Sequence, residues 1–197
     1  MTNYGIIILA AGNSSRLGEP KQLLAFEGKT LIRRITEAAL AVAASHVWVV
    51  TGANAAPIEA ELAGLPCRFA FNADWQEGMS ASIKTGISAM QSQHPDINGA
   101  ILAVSDQPFV TAALLEELFQ TAVQKQAGIV ACAYAGAPGT PAFFSAEYFP
   151  ALLQLTGAEG AKKLFKRYQN DLSTIPFPQG EIDIDTKQDY NRLITGR

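Results

Sequence analysis

Five short apolar runs, at residues 6–9, 47–50, 69–71, 100–104 and 129–132, constrain the fold of this chain more than any other feature of its sequence. Most are continuous rather than alternating, the pattern of strands buried on both faces of a sheet. Between them lie apolar residues at helical spacing: Leu31, Ile35, Ala38 and Val42; Ile83, Ile87 and Met90; Leu114, Leu115, Leu118 and Phe119. Strands alternating with helices need crossover connections, so the chain reads as α/β with a mainly parallel sheet covered by helices. The order blurs after Val130. Gly136, Pro138, Gly139 and Pro141 punctuate what reads as a loop before Phe143 and Phe144, and the sheet is expected to become mixed there. Thr186 and Asp189 have the Ser/Thr-x-x-acidic spacing of a helix N-terminus, which starts a final helix beside Asp183 and Asp185.

A chain of 197 residues has room for one domain with a sizeable core and is short for two, so residues 1–197 are expected to form a single domain. The formal charge of −3, with no long run of Lys or Arg, excludes a polyanion-gripping surface for nucleic acid. Any phosphate site must be local. Cys67 and Cys132 are far apart and lack CxxC or CxxH spacing, which argues against a zinc site or a disulfide framework and for two buried thiols. No basic segment precedes the first apolar run, and nothing approaches the roughly eighteen apolar residues of a membrane span. A cytoplasmic protein with no membrane partner is expected.

In an open α/β sheet, ligands collect beyond the carboxyl ends of the strands. The first apolar run ends at Leu9 and Ala10 and is followed by Ala11-Gly12-Asn13-Ser14-Ser15-Arg16-Leu17-Gly18-Glu19-Pro20-Lys21. Two glycines let the backbone approach a ligand, Ser14 and Ser15 add hydroxyls, and Arg16 and Lys21 add positive charge, a combination suited to a triphosphate. The spacing rejects both a Walker loop and a GxGxxG fingerprint. An ordinary Gly/Ser turn is the competing reading. Further on, Asn72, Trp75, Gly78, Ser80 and Ser82 surround a helix start, where free amides and a partial positive charge suit a base, ribose or phosphate, or else a simple cap. Asp106 follows the fourth apolar run, and Pro108 holds it in an open turn, where it either binds a hard cation or caps the next helix. Asp183 and Asp185 would share one face of a short strand, and two crowded carboxylates repel unless a cation lies near.

The segment Leu9-Ala10-Ala11-Gly12-x-Ser14-x-Arg16-x-Gly18-x-x-Lys21 resembles the signature loop of nucleotidyltransferases related to molybdenum cofactor cytidylyltransferase, within a superfamily that includes sugar-nucleotide pyrophosphorylases. The resemblance continues to the C-terminal helix. It implies a three-layer, Rossmann-like nucleotide-diphospho-sugar transferase fold and a Mg2+-dependent transfer of CMP from CTP to the phosphate of the molybdenum-bound pterin. It also implies nucleotide contacts at Leu9, Ala10, Ala11, Gly12, Ser14, Ser15, Arg16, Lys21, Asn72, Gly78, Ser80, Ser82 and Asp106. Arg16, Lys21 and Asp106 take the catalytic roles, and Asp106 and Asp183, with Asp185 beside it, take the metal. Asp189 reads as a cap. The related guanylyltransferases usually carry a second Gly where Ala11 stands, so Ala11 leans the base choice to CTP. Thr140 stands where the cofactor transferases often have His, and Gly157-Ala158-Glu159-Gly160-Ala161-Lys162 replaces a Gly-Asp-x-Gly-Ala-Arg pattern; both departures bear on the acceptor side. His46 and His94 match no motif. The rival readings are a guanylyl- or sugar-phosphate nucleotidyltransferase, and a non-catalytic carrier delivering cofactor to a molybdoenzyme by transient contact.

Overall fold

The structure, a computed structural model, describes residues 3–195 apart from 16, 44 and 159. β1 (Tyr4–Leu9) is buried throughout, with Ile6 and Ile8 in one layer of core and Ile7 and Leu9 in the other. Covering both faces is what a continuous apolar strand requires. The chain continues through a hairpin of β2 (Ala25–Phe26) and β3 (Lys29–Thr30), then α1 (Leu31–Leu40), β4 (Ser45–Thr51), α2 (Ala55–Glu61) and β5 (Arg68–Phe71). After these come α3 (Met79–Gln93), β6 (Gly99–Val104), α4 (Ala112–Lys125), β7 (Ile129–Tyr134) and β8 (Ala137–Ser145). The last elements are α5 (Phe149–Leu153), α6 (Lys162–Arg167), β9 (Leu172–Pro176) and α7 (Lys187–Thr195).

Seven strands form one sheet in the order β5-β4-β1-β6-β8-β7-β9. β8 runs antiparallel to β6 and β7, while the pairs β5/β4, β4/β1, β1/β6 and β7/β9 are parallel. The mainly parallel, mixed sheet is as the sequence indicates. One face carries α1, α2 and α4 through Ile32, Ile35, Ile58, Leu115 and Leu118, and the other carries α3, α5 and α6 through Ile83, Ile87, Leu152 and Phe165. Each fully buried aliphatic side chain contributes roughly 1.5–3 kcal/mol, so the two helix layers hold the frame and leave the loops at its edge free to be polar. Thr30 caps α1 by accepting from the Arg33 amide, and Thr111 caps α4 by accepting from the Leu114 amide.

Three expectations need correction. Residues 136–141 are not a loop, because Ala137 already begins β8. The two-residue step in register between Cys132↔Gly139 and Ala131↔Ala142 leaves Thr140 and Pro141 outside the ladder, and an unpaired bulge is where a strand tolerates proline, which has no N–H to donate. The 69–71 run is not covered on both faces: β5 is an edge strand, with Phe69 37% and Phe71 61% exposed. Asp183 and Asp185 lie on an extended stretch that pairs with no strand, although Ile184 between them is fully buried against Leu17, Leu24, Phe26 and Leu31.

The strand order changes direction at β1: the chain moves out through β4 to β5 on one side and returns to β6 on the other. Such a switch point opens a crevice beyond the carboxyl ends of the two strands. Leu9 pairs with Val104, so the loop after β1 and the Asp106 loop after β6 emerge side by side.

Candidate active site

The loop after β1 turns its carbonyls inward. Ala10 O accepts from Gln22 Nε2 at 3.1 Å, Ala11 O from the Ala53 amide at 3.1 Å, and Gly12 O from Gln22 Nε2 at 2.9 Å and Asn54 Nδ2 at 3.3 Å. With the carbonyls engaged, the amides of Gly12, Asn13 and Ser14 have no acceptor among the described residues. A Cβ on Gly12 would meet nothing within 4 Å, so a ligand can approach this backbone closely. Ser14 Oγ is committed to the protein, accepting from the Lys21 amide at 3.0 Å and donating to Gln22 Oε1 at 3.4 Å. Arg16 lies outside the described residues.

Lys21 reaches across to the acids. Its Nζ donates to Asp106 Oδ2 and, at 3.1 Å, to Asp185 Oδ1. Burial pulls the Lys21 ammonium down, but Asp106 and Asp185 together outweigh it, and the net shift is upward, so the lysine stays charged. The Asp183 carboxyl is pushed above the usual carboxylate range, first by burial and then by the negative charges of Asp106 and Asp185. Three carboxylates therefore share one ammonium among these four side chains.

Two cavities meet at this point, sharing Met79, Val104 and Asp106 in their walls. One, of about 220 Å³, is lined by the β1 loop, Lys21, Trp75 and Ser82. The other, of about 460 Å³, is lined among others by Gln107, Tyr134, Thr140, Lys162, Glu181 and Asp183. Of the expected nucleotide residues, Leu9, Ala11, Gly12, Lys21, Gly78, Ser82 and Asp106 line the smaller cavity. Ala10, Ser14, Ser15, Asn72 and Ser80 do not. Asn72, 2% exposed, donates to Ser82 Oγ at 3.0 Å, and Ser80 Oγ donates to Gly157 O at 2.7 Å. These two side chains brace the wall instead of facing the space. Gly78 opens α3 at φ 103°, and a Cβ there would stand 2.8 Å from Ala158 Cα, so the 157–158 segment packs directly on this helix start. Asp189 is a cap as expected, accepting from the Thr186 amide at 2.9 Å and from its hydroxyl at 2.7 Å, while its own amide donates back to Thr186 Oγ1. His46 and His94 stack on each other with ring centroids 3.8 Å apart, outside both cavities.

Two residues escape a sequence reading. Gln22 is 1% exposed and clamps the loop carbonyls, and Gln107, 5% exposed, donates to Gly180 O at 2.9 Å. Each adjoins a singled-out residue, Lys21 or Asp106, but glutamine carries no charge, and only tertiary contacts reveal what its amide holds.

Among the described residues no ready-made cluster of three or more metal-ligating side chains occurs. Magnesium does not require one, since it usually keeps several waters and takes one or two carboxylates plus phosphate oxygens. The donor set fits: Asp106 and Asp183 line the same cavity, and the repulsion that adds to the effect of burial on Asp183 is what a bound cation would relieve.

The chain is 28% identical over 199 residues to nicotine blue oxidoreductase of Paenarthrobacter nicotinovorans, covering 95% of each. It is 26% identical over 194 residues to the molybdenum cofactor cytidylyltransferase of Escherichia coli strain K12, covering 96% of this chain and 95% of that one. The crystal structure of Rv0371c from Mycobacterium tuberculosis H37Rv superposes with a TM-score of 0.85 at 29% identity over 98% of both chains. The complex of Rv0371c with manganese superposes at 0.82 and 26% over the whole of both. Residues 6–172, from the second residue pair of β1 to the start of β9, match the MobA-like NTP transferase domain, and the chain belongs to that nucleotidyltransferase family.

Proposed function

We propose that residues 1–197 act as one Mg2+-dependent nucleotidyltransferase unit that moves CMP from CTP to the phosphate of molybdenum-bound molybdopterin, releasing pyrophosphate. The observation that carries this reading is the meeting of Lys21 with Asp106 and Asp185, where Asp106 belongs to the walls of both cavities. In this reading the smaller cavity takes the nucleotide and the larger one the acceptor.

The exposed amides of residues 12–14 hold triphosphate oxygens, and Arg16 and Lys21 offset their charge. Asp106 and Asp183, with Asp185 beside them, would hold the cation, which would supply charge neutralisation for the phosphate oxygens. The two cavities align the reactants, so that an acceptor phosphate oxygen attacks the α-phosphorus in line as the bond to pyrophosphate breaks. No side-chain nucleophile is needed, and positioning with charge stabilisation supplies the catalysis. The choice of CTP rests on the resemblance alone, in which Ala11 stands where the related guanylyltransferases usually carry a second Gly. No helix among the described residues is long and apolar enough to cross a membrane, and the unpaired Cys67 and Cys132 fit a reducing, cytoplasmic setting. Transient contact with a molybdoenzyme would then deliver the product.

Lys21→Ala and Asp106→Ala are each expected to lower turnover about a hundredfold, the equivalent of about 3 kcal/mol of transition-state contact. Folded variants with full turnover would overturn the assignment. Incubation with Mg2+, each nucleoside triphosphate and metal-bearing molybdopterin, followed by mass analysis, tests the base and the acceptor together. A second reading, a redox reaction, is favoured by the 28% identity over 95% of both chains to nicotine blue oxidoreductase. Pyrophosphate release in the same incubation separates the two.

A further inference from the structure

The sheet does not set the separation of Asp106 and Asp183, because residues 182–185 pair with no strand. The turn before Asp183 is tied at its start by the Phe177 amide, which donates to Ala133 O at 2.9 Å. Its middle is tied by Gln107, the residue after Asp106, whose Nε2 donates to Gly180 O at 2.9 Å and to the Tyr134 hydroxyl at 3.3 Å. A Cβ on Gly180 would stand 2.5 Å from the rings of Phe177 and Tyr134, so the turn is wedged against the end of β7 as well as held by the amide.

Gln107 is 5% exposed, and its Oε1 is buried with no partner among the described residues. The Gly180 carbonyl can only accept, so it dictates which end of the carboxamide faces it and leaves Oε1 over. An unsatisfied buried acceptor is costly, and the donor on the same carboxamide goes to the buried Gly180 carbonyl, so what the side chain secures at that cost is the position of the turn. We propose that Gln107 is a positioning residue whose hold on Gly180 sets the separation of Asp106 and Asp183 for a divalent cation. This rests on the reading of those two acids as metal ligands.

The test is Mn2+ uptake by the full chain with CTP present, read from the paramagnetic resonance of the free ion against the same Mn2+ and CTP without protein, for the wild type, Gln107→Met, Asp183→Asn and the double variant. Gln107→Met is expected to weaken Mn2+ binding about tenfold and to leave CTP affinity without metal unchanged, since Gln107 lies outside the nucleotide cavity. The double variant is expected to bind no more weakly than Asp183→Asn alone, because both substitutions act on one ligand pair. A tie that served only the fold would lower the melting temperature and leave these affinities where they were. Unchanged Mn2+ binding in Gln107→Met, or additive losses in the double variant, would overturn the inference. A wild type that takes up no Mn2+ overturns the metal reading itself and the inference with it. Gln107→Leu, measured the same way, replaces Gln107→Met if that variant does not fold.

Discussion

At the scale of single residues, Lys21 has two possible sets of partners. In the structure its ammonium bridges Asp106 and Asp185; in the proposed transfer the same charge would be drawn to the triphosphate. A divalent ion on Asp106 and the ammonium exclude each other by like-charge repulsion, so metal should bind weakly until a nucleotide draws the lysine away. Lys21→Met should therefore tighten Mn2+ binding without nucleotide by on the order of tenfold, because these charges are partly screened by solvent. Calorimetric titration checks it, and equal or weaker binding would refute the exchange. Gln22 has the complementary task of turning amides outward. Gln22→Met removes two donors worth roughly 1 kcal/mol each, and is expected to raise the KM for nucleotide by about tenfold or more while kcat changes less. Steady-state kinetics with the nucleotide varied reads this split, and a fall in kcat alone would count against it.

At the scale of elements, α7 differs from the helices of the two layers. It buries no residue fully: half-buried Tyr190 and Leu193 pack against the cluster around Ile184, the Thr186–Asp189 cap closes its start, and the Tyr190 hydroxyl donates to Ala25 O at 2.7 Å. Thr186→Ala should cost α7 about 1 kcal/mol and speed amide exchange there, leaving β1 and β6 protected. The Thr186 hydroxyl, against a small opposing effect of burial, holds the Asp189 carboxyl below the usual carboxylate range. A depressed carboxylate stabilises the fold at neutral pH and loses that contribution as pH falls below about 4, the unfolded value, and through its own lower one. The α7 amide resonances should accordingly broaden or shift on acidification before those of the sheet; simultaneous loss would show that the cap is not the weak point. β8 and β9 show why the sequence was less legible at this scale. β8 carries Pro138, Gly139 and Pro141, which read as a loop, and of the five residues of β9 only Ile175 is buried. Their place is decided by β7, which pairs with both.

At the scale of the whole molecule, the two apolar layers bury Cys132 completely, and that burial, with a smaller effect of the Glu117 charge, pushes its thiol up to about 12. The thiolate is the reactive form, so a thiol reagent at mildly alkaline pH should label half-buried Cys67 first and reach Cys132 only when the sheet opens. Mass analysis of a labelling time course checks the order. Rapid native labelling of Cys132 would mean that the layers are looser than their packing indicates.

The sequence by itself determined the α/β class, the positions of β1, β4, β6 and β7, the cationic glycine loop and the acids at strand ends, because apolar periodicity and loop chemistry are local properties. Only the tertiary structure decided that Lys21 contacts Asp106 and Asp185 across 85 and 164 residues of chain, that Asn72 and Ser80 brace the cavity wall, and that Gln22 and Gln107 donate to the Gly12 and Gly180 carbonyls. Those contacts arise from strand order and long-range packing, which no local spacing of residues encodes.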